Sequence, residues 1–582
     1  MHRRAAIASA VLLGLAARPS HAFELWGTGP LSGSTVQVTT NFDFRYHRVP
    51  QSQQLPDFPD LRVKDYFEEV FRNNLLLTKE GLVIGVQVDQ AAYFANRYRL
   101  DGVLEDERYL YDENWQSPFD HALVRMEKLY LTKRWDNVEL GLGDNYASYG
   151  RGLALNAIKN TAIDIDTSIK GVTFTASAGD FEVSGITGLT NTQDVSMFNP
   201  NVEITEDPAH MITGMRLAHY AVGPAQLGLH GVVYRFARAE DVELPKLSRY
   251  GDDIDLRVVG ATAEVLGVAG IDWYIEGDLF DYHGEEMIGD ESLERLTGYG
   301  VYTSATAYPG NATIQFEAKR TKDTERINTF LGAENWEAAA APTLEYELVI
   351  TEDASATVNS NDLAGALLRV DYNAKGGDLI PYVSAVAFHD ADVGGEHFNS
   401  VPENIGHAIT GLQWFKGRQS LQLNTGYRID QRTDIDFGAD QMTHLDATWI
   451  FPVNPRDTFE VSLNGRKFQW GNNGILQQED FLEMNNALAY HVGSEWVFIL
   501  YQDFTNNPII QSEGNLKFID PASYGQDEDS LYGAAEVIFH PKPASTLRLF
   551  YGAYKAGIRC AGGQCRSLPG FEGGRVTWQT TF

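Results

Sequence analysis

Hydrophobic and polar residues alternate along most of the chain with a period of two. In Thr35–His47, the residues Val36, Val38, Phe42, Phe44 and Tyr46 fall on one face, and the residues between them are polar or charged. The last ten residues, GGRVTWQTTF, repeat the pattern with Val576, Trp578 and Phe582 on the apolar face. Because successive side chains of a strand point to opposite faces, both stretches predict a strand with one apolar and one polar face.

Similar segments recur to the end of the chain, and the connections between them are alternately short and long. Residues 134–137 and 178–180 are short connections, whereas 145–167 and 321–361 are long. Outer-membrane barrels join their strands in this way, with short periplasmic turns and long extracellular loops. The pattern predicts an all-β fold: a single large transmembrane antiparallel up-and-down β-barrel of about 24 strands, with a range of about 22 to 26.

The polar faces of these strands predict the inner surface of the barrel. They carry many charged and amide side chains: Gln315, Glu317, Lys319, Arg369, Asp371, Gln422, Asn424, Arg428, His444, Asp446, Glu460 and Asn464. An Arg or Lys facing lipid near the bilayer midplane costs about 2–4 kcal/mol, so these positions should face a lumen. A barrel of this size is too wide for strand side chains alone to fill it. Water must fill the lumen, or loops must fold into it.

The first 22 residues have the pattern of an export signal. A basic start, MHRR, precedes an uncharged stretch from Ala5 to Ala17 and a small-x-small site ending at Ala22. This stretch is too short to span a bilayer and predicts a cleaved signal peptide. Phe23 rather than Cys follows the site, so no lipid anchor is expected. The expected organisation is a signal peptide at 1–22, a short periplasmic segment at 23–34 and the barrel at 35–582, in the outer membrane of a bacterial cell with a Gram-negative envelope.

The chain is strongly acidic, and this limits its partners. It has 46 Lys and Arg against 79 Asp and Glu, a formal net charge of −33. Nucleic acid is therefore not an expected partner, because it attracts clusters of Lys and Arg. The expected partners are outer-membrane lipid and lipopolysaccharide, the machinery that assembles outer-membrane barrels, and other envelope proteins.

The most distinctive internal stretch is VELGLGDNYASYGRGLALN, residues 138–156. Asp144, Tyr146, Tyr149 and Arg151 lie where a predicted strand passes into a loop, and Gly150 and Gly152 flank the arginine. Glycine permits close backbone approach and unusual φ angles, and arginine can bind a carboxylate through two hydrogen bonds. Two interpretations remain open. The loop could fold inward and constrict the pore or contact a ligand, or Arg–Asp pairing could fasten it to the barrel wall.

The stretch GDNYASYGRGLALN, residues 143–156, with DIDT at 164–167 and Gly171-Val172, resembles an uncharacterised family of predicted bacterial outer-membrane β-barrel proteins. That family carries a Gly-Asp-x-Tyr…Gly-Arg-Gly-Leu segment. A second match is CAGGQCR, residues 560–566, followed by Pro569 and Phe571. The resemblance implies a barrel fold and an outer-membrane location, and it implies no particular activity.

Cys560 and Cys565 are the two cysteines of the chain and lie just before the last strand. An exported protein meets an oxidising compartment, so a disulfide between them is expected. Metal binding by two thiolates without a nearby histidine is a weaker alternative.

Catalytic, cofactor and metal sites are not expected. The acidic clusters at 434–440, 527–529 and 252–255 lack the spacing of a calcium-binding loop. These loops could hold a divalent cation non-specifically. The sequence contains neither G-x-S-x-G nor H-E-x-x-H. We therefore do not expect an enzyme.

Two functions fit a barrel with a polar lumen. The first is a porin-like channel or transport pore for an unidentified solute. The alternative is a surface-exposed scaffold, assembly or adhesion barrel that uses its long loops, especially residues 321–361. A TonB-dependent transporter is disfavoured because the first strand begins too early for a folded plug to precede it.

The final strand carries two further expectations. It should pair across the barrel seam with the other clean alternating segment, residues 35–46. Trp578 and the terminal Phe582 resemble the signal that the barrel-assembly machinery reads, so they should assist membrane insertion.

Overall fold

The computed structural model describes twenty segments of the chain: residues 23–24, 33–48, 53–55, 58–63, 66–94, 99–100, 123–161, 165–192, 210–236, 254–283, 297–322, 324, 363–390, 403–432, 440–469, 480–506, 530–555, 557–561, 564–568 and 571–582. The expected signal peptide at 1–22 lies outside these ranges.

The described residues form a closed antiparallel barrel of 24 strands. In chain order they are β1 Thr35–His47, β2 Tyr66–Lys79, β3 Leu82–Phe94, β4 Leu123–Arg134, β5 Val138–Asn145, β6 Ile165–Ala178, β7 Phe181–Thr192, β8 Met211–Val222, β9 Ala225–Phe236, β10 Ile254–Val268, β11 Ile271–His283, β12 Thr297–Ala307, β13 Ala312–Lys322, β14 Leu363–Tyr372, β15 Leu379–Asp390, β16 Glu403–Lys416, β17 Gln419–Arg432, β18 Asp440–Pro452, β19 Thr458–Gln469, β20 Asp480–Val492, β21 Trp496–Thr505, β22 Ser530–Lys542, β23 Ser545–Tyr554 and β24 Phe571–Thr581. Each strand pairs with its neighbours in sequence, and β24 pairs with β1. The expected fold and strand number are confirmed.

The barrel closes through the pairing that the alternation predicts. Strand β24 runs antiparallel to β1 in a register that sets Thr581 opposite Thr39 and Gly573 opposite His47. The backbone N–H of Phe582 donates to the carbonyl of Val38 at 2.8 Å, which extends the ladder to the last residue. With β1 and β24 paired, the described barrel has no open sheet edge at its seam.

Short turns join the strands in pairs at one end of the barrel. The turn between β6 and β7 consists of Gly179 and Asp180, and the turn between β2 and β3 consists of Glu80 and Gly81. Gly179 has φ +61°, which is the left-handed conformation that tight hairpin turns require. Most residues of the connections at the other end lie outside the described ranges, but residues 146–161 are described.

The outer face of the barrel is an apolar belt. Along β10 and β11, Val259 and Leu279 are 65% and 68% exposed, whereas their sequence neighbours Val258 and Phe280 are buried. Exposed aromatic residues concentrate near the short turns: Trp135, Phe181, Tyr220, Trp273, Tyr308, Tyr372, Phe415, Trp449 and Phe498. An apolar belt bordered by an aromatic girdle is the surface of a barrel that lies in a bilayer. Within the described ranges, no helix is long and apolar enough to span a membrane.

The inner face carries the polar residues that the alternation assigns to it. Gln315 donates a hydrogen bond to Glu317, and the intervening Phe316 is exposed on the outer face. Arg369 binds Asp371 at 3.0 Å, again with an apolar residue, Val370, between them. At the seam, the carboxylate of Asp43 accepts hydrogen bonds from Arg45 and Arg575. The charged side chains therefore pair with one another on the lumen side of the wall.

Candidate functional site

Strand β5 ends early and leaves an opening in the barrel wall, toward the end away from the short turns. It has 8 residues, against 12 in β4 and 14 in β6. Only the stretch of β4 from Tyr130 to Arg134 pairs with β5. Beyond Tyr130 the side chain of Lys128 bridges the opening, and its Nζ donates to the Ser168 hydroxyl and to the Asn191 carbonyl, both at 2.7 Å.

Asp144 closes the end of β5. Its carboxylate accepts hydrogen bonds from the Leu129 N–H at 2.6 Å, the Ser168 hydroxyl at 3.1 Å and the Asn191 amide at 2.5 Å. Gly143, the preceding residue, has φ +91°, which changes the direction of the chain at a point where a side chain would be strained. Asp144 is buried and ties the start of the following loop to β4, β6 and β7.

The loop that follows, residues 146–161, folds into the barrel, and we call it the inner loop. It begins with a small hairpin in which Ala147–Tyr149 pairs with Leu155–Ala157. Its apolar side chains pack on one cluster of inner-wall residues, the apolar stripe, contributed by strands β6 to β11: Ile169, Ile186, Ile212, Val232, Tyr234, Leu256, Val258, Phe280 and Tyr282. The inner loop therefore covers the lumen side of six consecutive strands.

Apolar burial holds the inner loop in place. Leu153 is 0% exposed and packs with Tyr274 of β11 and Tyr302 of β12, which extends the covered wall to a seventh strand. Leu155 and Tyr149 are also buried. Full burial of one such side chain contributes about 1.5–3 kcal/mol, so three of them together outweigh any single surface contact.

Hydrogen bonds fix the loop at several points. The backbone N–H of Arg151 donates to Glu276 Oε2 at 2.6 Å, and the Tyr234 hydroxyl donates to the Ala154 carbonyl at 2.5 Å. At the start of the loop, the Tyr146 hydroxyl donates to Asp166 at 2.9 Å. The carboxylate of Asp166 also lies 2.8 Å from Lys159 Nζ, near the end of the loop. The loop is thus attached at both ends and at its tip.

The Gly-Arg-Gly sequence allows the tip to approach the wall. Gly150 has φ +61°, and a Cβ there would lie 2.1 Å from Glu276 Oε1. Gly152 has φ +91°, and its N–H donates to the Tyr149 carbonyl at 3.1 Å. A residue with a side chain at position 150 would push the backbone of Arg151 away from Glu276.

The side chain of Arg151 extends from the tip along the lumen side of the wall. It is exposed, and its guanidinium carbon lies 4.8 Å from the centre of the Tyr274 ring. No carboxylate in the described segments lies within ion-pair distance of it. The fastening of the loop therefore depends on its backbone and apolar side chains, and the arginine charge is left facing the lumen.

Both tyrosines of the loop have a raised pKa. Burial and the nearby Asp166 carboxylate hold the pKa of Tyr146 well above its usual range. Burial raises the pKa of Tyr149 to about 12. Both phenols keep their protons at physiological pH, and Tyr146 can donate to Asp166 throughout that range.

A second group of side chains lies directly beneath the loop tip. His230 of β9 and Glu276 and Asp278 of β11 are buried, and each offers one ligand atom within 4.8 Å of the others. His230 Nε2 lies 2.5 Å from Asp278 Oδ1. The alternation places all three on the inner face. Sequence reasoning did not bring them together, because His230 and Asp278 are 48 positions apart and their contact depends on strand register.

The apolar stripe was also missed. Its sequence signal is a local break in the alternation, seen at Val232-Val233, Val258-Val259 and Leu279-Phe280. Strands that are apolar on both faces must be covered on the lumen side, and this signal could have indicated that a loop folds inward.

The remaining predicted site residues lie as follows. Trp578 pairs with Phe42 on the outer face, and Phe582 completes the seam ladder. The backbone sets Cys560 opposite Cys565 in a short hairpin, but their side chains, and hence the expected disulfide, lie outside the described residues. The acidic cluster at 527–529 also lies outside them, as does the cluster at 434–440 apart from Asp440, the first residue of β18. In the cluster at 252–255, the described Asp255 is 3.5 Å from Arg235.

Comparisons with known proteins returned solved structures. No protein-family model and no curated protein matches the chain. The chain is similar to the siderophore receptor PirA from Pseudomonas aeruginosa, at 7% identity and a TM-score of 0.43, covering 94% of this chain and 80% of that one.

Two further similar structures differ in how much of this chain they cover. The outer membrane protein opdK from Pseudomonas aeruginosa has 13% identity and a TM-score of 0.34, covering 71% of this chain and 97% of that one. The translocation pore of the P pilus usher PapC has 7% identity and a TM-score of 0.40, covering 94% of this chain and 99% of that one. At these identities the similarity concerns the fold alone.

Proposed function

We propose that this protein is an outer-membrane channel for a small hydrophilic solute, and that the inner loop narrows its lumen. The observation that carries the proposal is the packing of residues 146–157 on the apolar stripe, inside the barrel wall. A loop in this position reduces the open cross-section on one side of the lumen. The role requires no catalytic group.

The lumen wall away from the inner loop carries exposed polar side chains. Arg548 of β23 lies on the lumen face and is 53% exposed, and it is 3.8 Å from the carboxylate of Glu536. Gln422 of β17 is also exposed on the lumen face. A polar, hydrated wall opposite a constriction that carries Arg151 suits the passage of polar solutes, for which lumen charges tune selectivity.

The proposed location is the outer membrane of a Gram-negative envelope. The even strand number, the closed antiparallel ladder, the apolar belt and the aromatic girdle support it. Export through a cleaved signal peptide at 1–22 and insertion by the barrel-assembly machinery are part of the same proposal. The scaffold alternative depends on long loops such as residues 321–361, most of which lie outside the described residues.

Planar-bilayer recording tests the proposal. The purified protein, shown to be folded by its heat-modifiable migration on a gel, is added to a bilayer in salt solution. We expect stepwise current increases of uniform size as single channels insert. Folded protein that inserts into the bilayer but passes no current would contradict the channel function and favour a scaffold.

A further inference from the structure

The group beneath the loop tip has the composition of a metal site. His230, Glu276 and Asp278 provide one imidazole and two carboxylates, and their ligand atoms lie within 4.8 Å of one another. Two ligand atoms bound to one zinc ion at about 2.1 Å are at most about 4.2 Å apart. In a tetrahedral zinc site they are about 3.4 Å apart. The 2.5 Å between His230 Nε2 and Asp278 Oδ1 would therefore open by about 1 Å, and any wider separation would close by at most about 1.4 Å, as all three came onto one ion.

The site also contains buried polar atoms that lack partners. Glu276 and Asp278 are 0% and 2% exposed. Within the described part of the chain, Glu276 Oε1, Asp278 Oδ2 and His230 Nδ1 accept or donate no hydrogen bond. Buried polar atoms are normally satisfied, and a buried carboxylate without a partner is costly. Each of the three clustered residues carries one such atom, which indicates a ligand that binds this group.

The local charge points to a cation. Two carboxylates face each other beneath the loop, and the one ion pair that the described residues form here is His230 with Asp278. The guanidinium of Arg151 lies over Tyr274 rather than over the carboxylates. A bound divalent ion would offset the charge that the single imidazole does not.

Two glycines keep the site open. A Cβ on Gly260 of β10 would lie 1.9 Å from Asp278 Oδ1 and 2.4 Å from His230 Nε2. A Cβ on Gly150 of the inner loop would lie 2.1 Å from Glu276 Oε1. The space around the three ligand side chains thus depends on residues of both the wall and the loop.

We propose that His230, Glu276 and Asp278 bind a divalent transition-metal ion, with zinc as the best match to one nitrogen and two carboxylate ligands. Such ligand sets suit zinc, whereas calcium and magnesium prefer sites built entirely of oxygen. Three protein ligands leave a fourth position for water. The ion would join β9 to β11, and through the second oxygen of Glu276 it would also hold the N–H of Arg151 at the loop tip.

Metal binding is tested on tag-free protein that is refolded with zinc and then freed of excess metal. Elemental analysis should find about one zinc per folded chain. Glu276→Gln keeps an oxygen that can accept from Arg151 and Tyr274 but removes a charged ligand, so bound zinc should fall at least about tenfold at limiting free zinc. Asp281→Asn is the matched control, because Asp281 is on the same strand and binds His283 at 2.8 Å but does not belong to the group of three ligand residues. It should retain zinc.

The same samples separate the proposal from an ordinary buried ion pair and from the channel function. Heat-modifiable migration establishes that each variant is folded, and zinc content is measured whether or not the barrel conducts. Absence of stoichiometric zinc in folded wild-type protein would overturn the metal site, as would equal zinc content in Glu276→Gln and wild type. Neither result would alter the measured conductance of the wild-type barrel.

Discussion

The backbone N–H of Arg151 donates a 2.6 Å hydrogen bond to the carboxylate of Glu276, a residue 125 positions away on the inner wall of the barrel. This contact holds the tip of the inner loop against β11 and leaves the arginine side chain in the lumen. It requires a residue without a side chain at position 150 and an acceptor at position 276. The position of the loop can therefore be tested from either side of the contact.

Substitution of Gly150 should displace the loop tip. In Gly150→Ala the new Cβ would meet Glu276 Oε1 at 2.1 Å, and the left-handed backbone at φ +61° would be strained as well. We expect faster hydrogen exchange and faster proteolysis within residues 146–161. Gly179→Ala is the control, because Gly179 has the same φ in an open turn with no atom within 4 Å of the added Cβ. Equal protection of the loop in the two variants would contradict the contact.

Removal of the Asp144 carboxylate should loosen the junction of β4, β5 and β6. Asp144→Ala leaves the Leu129 N–H without its acceptor, at a cost of about 1–3 kcal/mol for a buried donor. It also removes one hydrogen bond each from Ser168 and Asn191, which keep the carbonyls of Asn191 and Glu127 as acceptors. We expect a lower thermal midpoint for the gel-mobility shift and faster exchange at residues 146–161. Asp272→Ala, which removes one hydrogen bond in an exposed turn, should change little. An unaltered midpoint in Asp144→Ala would show that the opening beside β5 is closed in some other way.

The seam depends on a buried anion between two arginines. In Asp43→Asn the guanidinium groups of Arg45 and Arg575 lose their shared partner, and breaking a buried pair costs about 3–5 kcal/mol. The folded band should convert to the unfolded band at a clearly lower temperature. Glu139→Gln breaks the exposed pair with Arg134 and should cost below about 1 kcal/mol. Similar shifts in both variants would be inconsistent with a charged, buried seam.

The orientation of the wall can be tested with one charge. Leu279 is exposed on the outer face near the middle of β11, so Leu279→Arg should destabilise the barrel in a bilayer by about 2–4 kcal/mol. Gln422→Arg places the same side chain on the lumen face of β17 and should be tolerated. Equivalent stability of the two variants, measured by denaturant titration in lipid vesicles, would contradict the assigned faces.

The disulfide between Cys560 and Cys565 stays a prediction, which thiol labelling can check. The backbone register sets the two residues opposite each other. Protein denatured without reductant should take up no maleimide, and protein denatured with reductant should take up two. Two labels in both conditions would show free thiols.

Period-two alternation was sufficient to predict the fold. It is a local property, because each strand shows its lipid face and its lumen face in its own sequence, as Phe316 does between Gln315 and Glu317. The seam followed for the same reason, since Phe582 and Thr35–His47 are the ends of one alternating series. Residues 143–156 also stand out in the sequence, because Gly143, Gly150 and Gly152 occur close together at the start of a long connection.

The inner site could not be predicted in the same way. Its contacts join residues that are close only after β6 to β12 have paired in register, as with Arg151 and Glu276 or His230 and Asp278. The apolar stripe has a faint local signal at pairs such as Val258-Val259, but such a pair does not say which segment covers it. The covering segment is defined by contacts in the folded barrel, where Leu153 and Leu155 lie buried against the wall.

Single-channel conductance of Arg151→Ala tests the central claim most directly. If the inner loop narrows the lumen, removing the side chain at its tip should raise the conductance of each channel and shift the reversal potential in a salt gradient away from anions. Arg548→Ala removes an exposed lumen arginine from the opposite wall and should leave the conductance near the wild-type value. An unchanged conductance in Arg151→Ala, or equal changes in the two variants, would contradict a constriction at the inner loop.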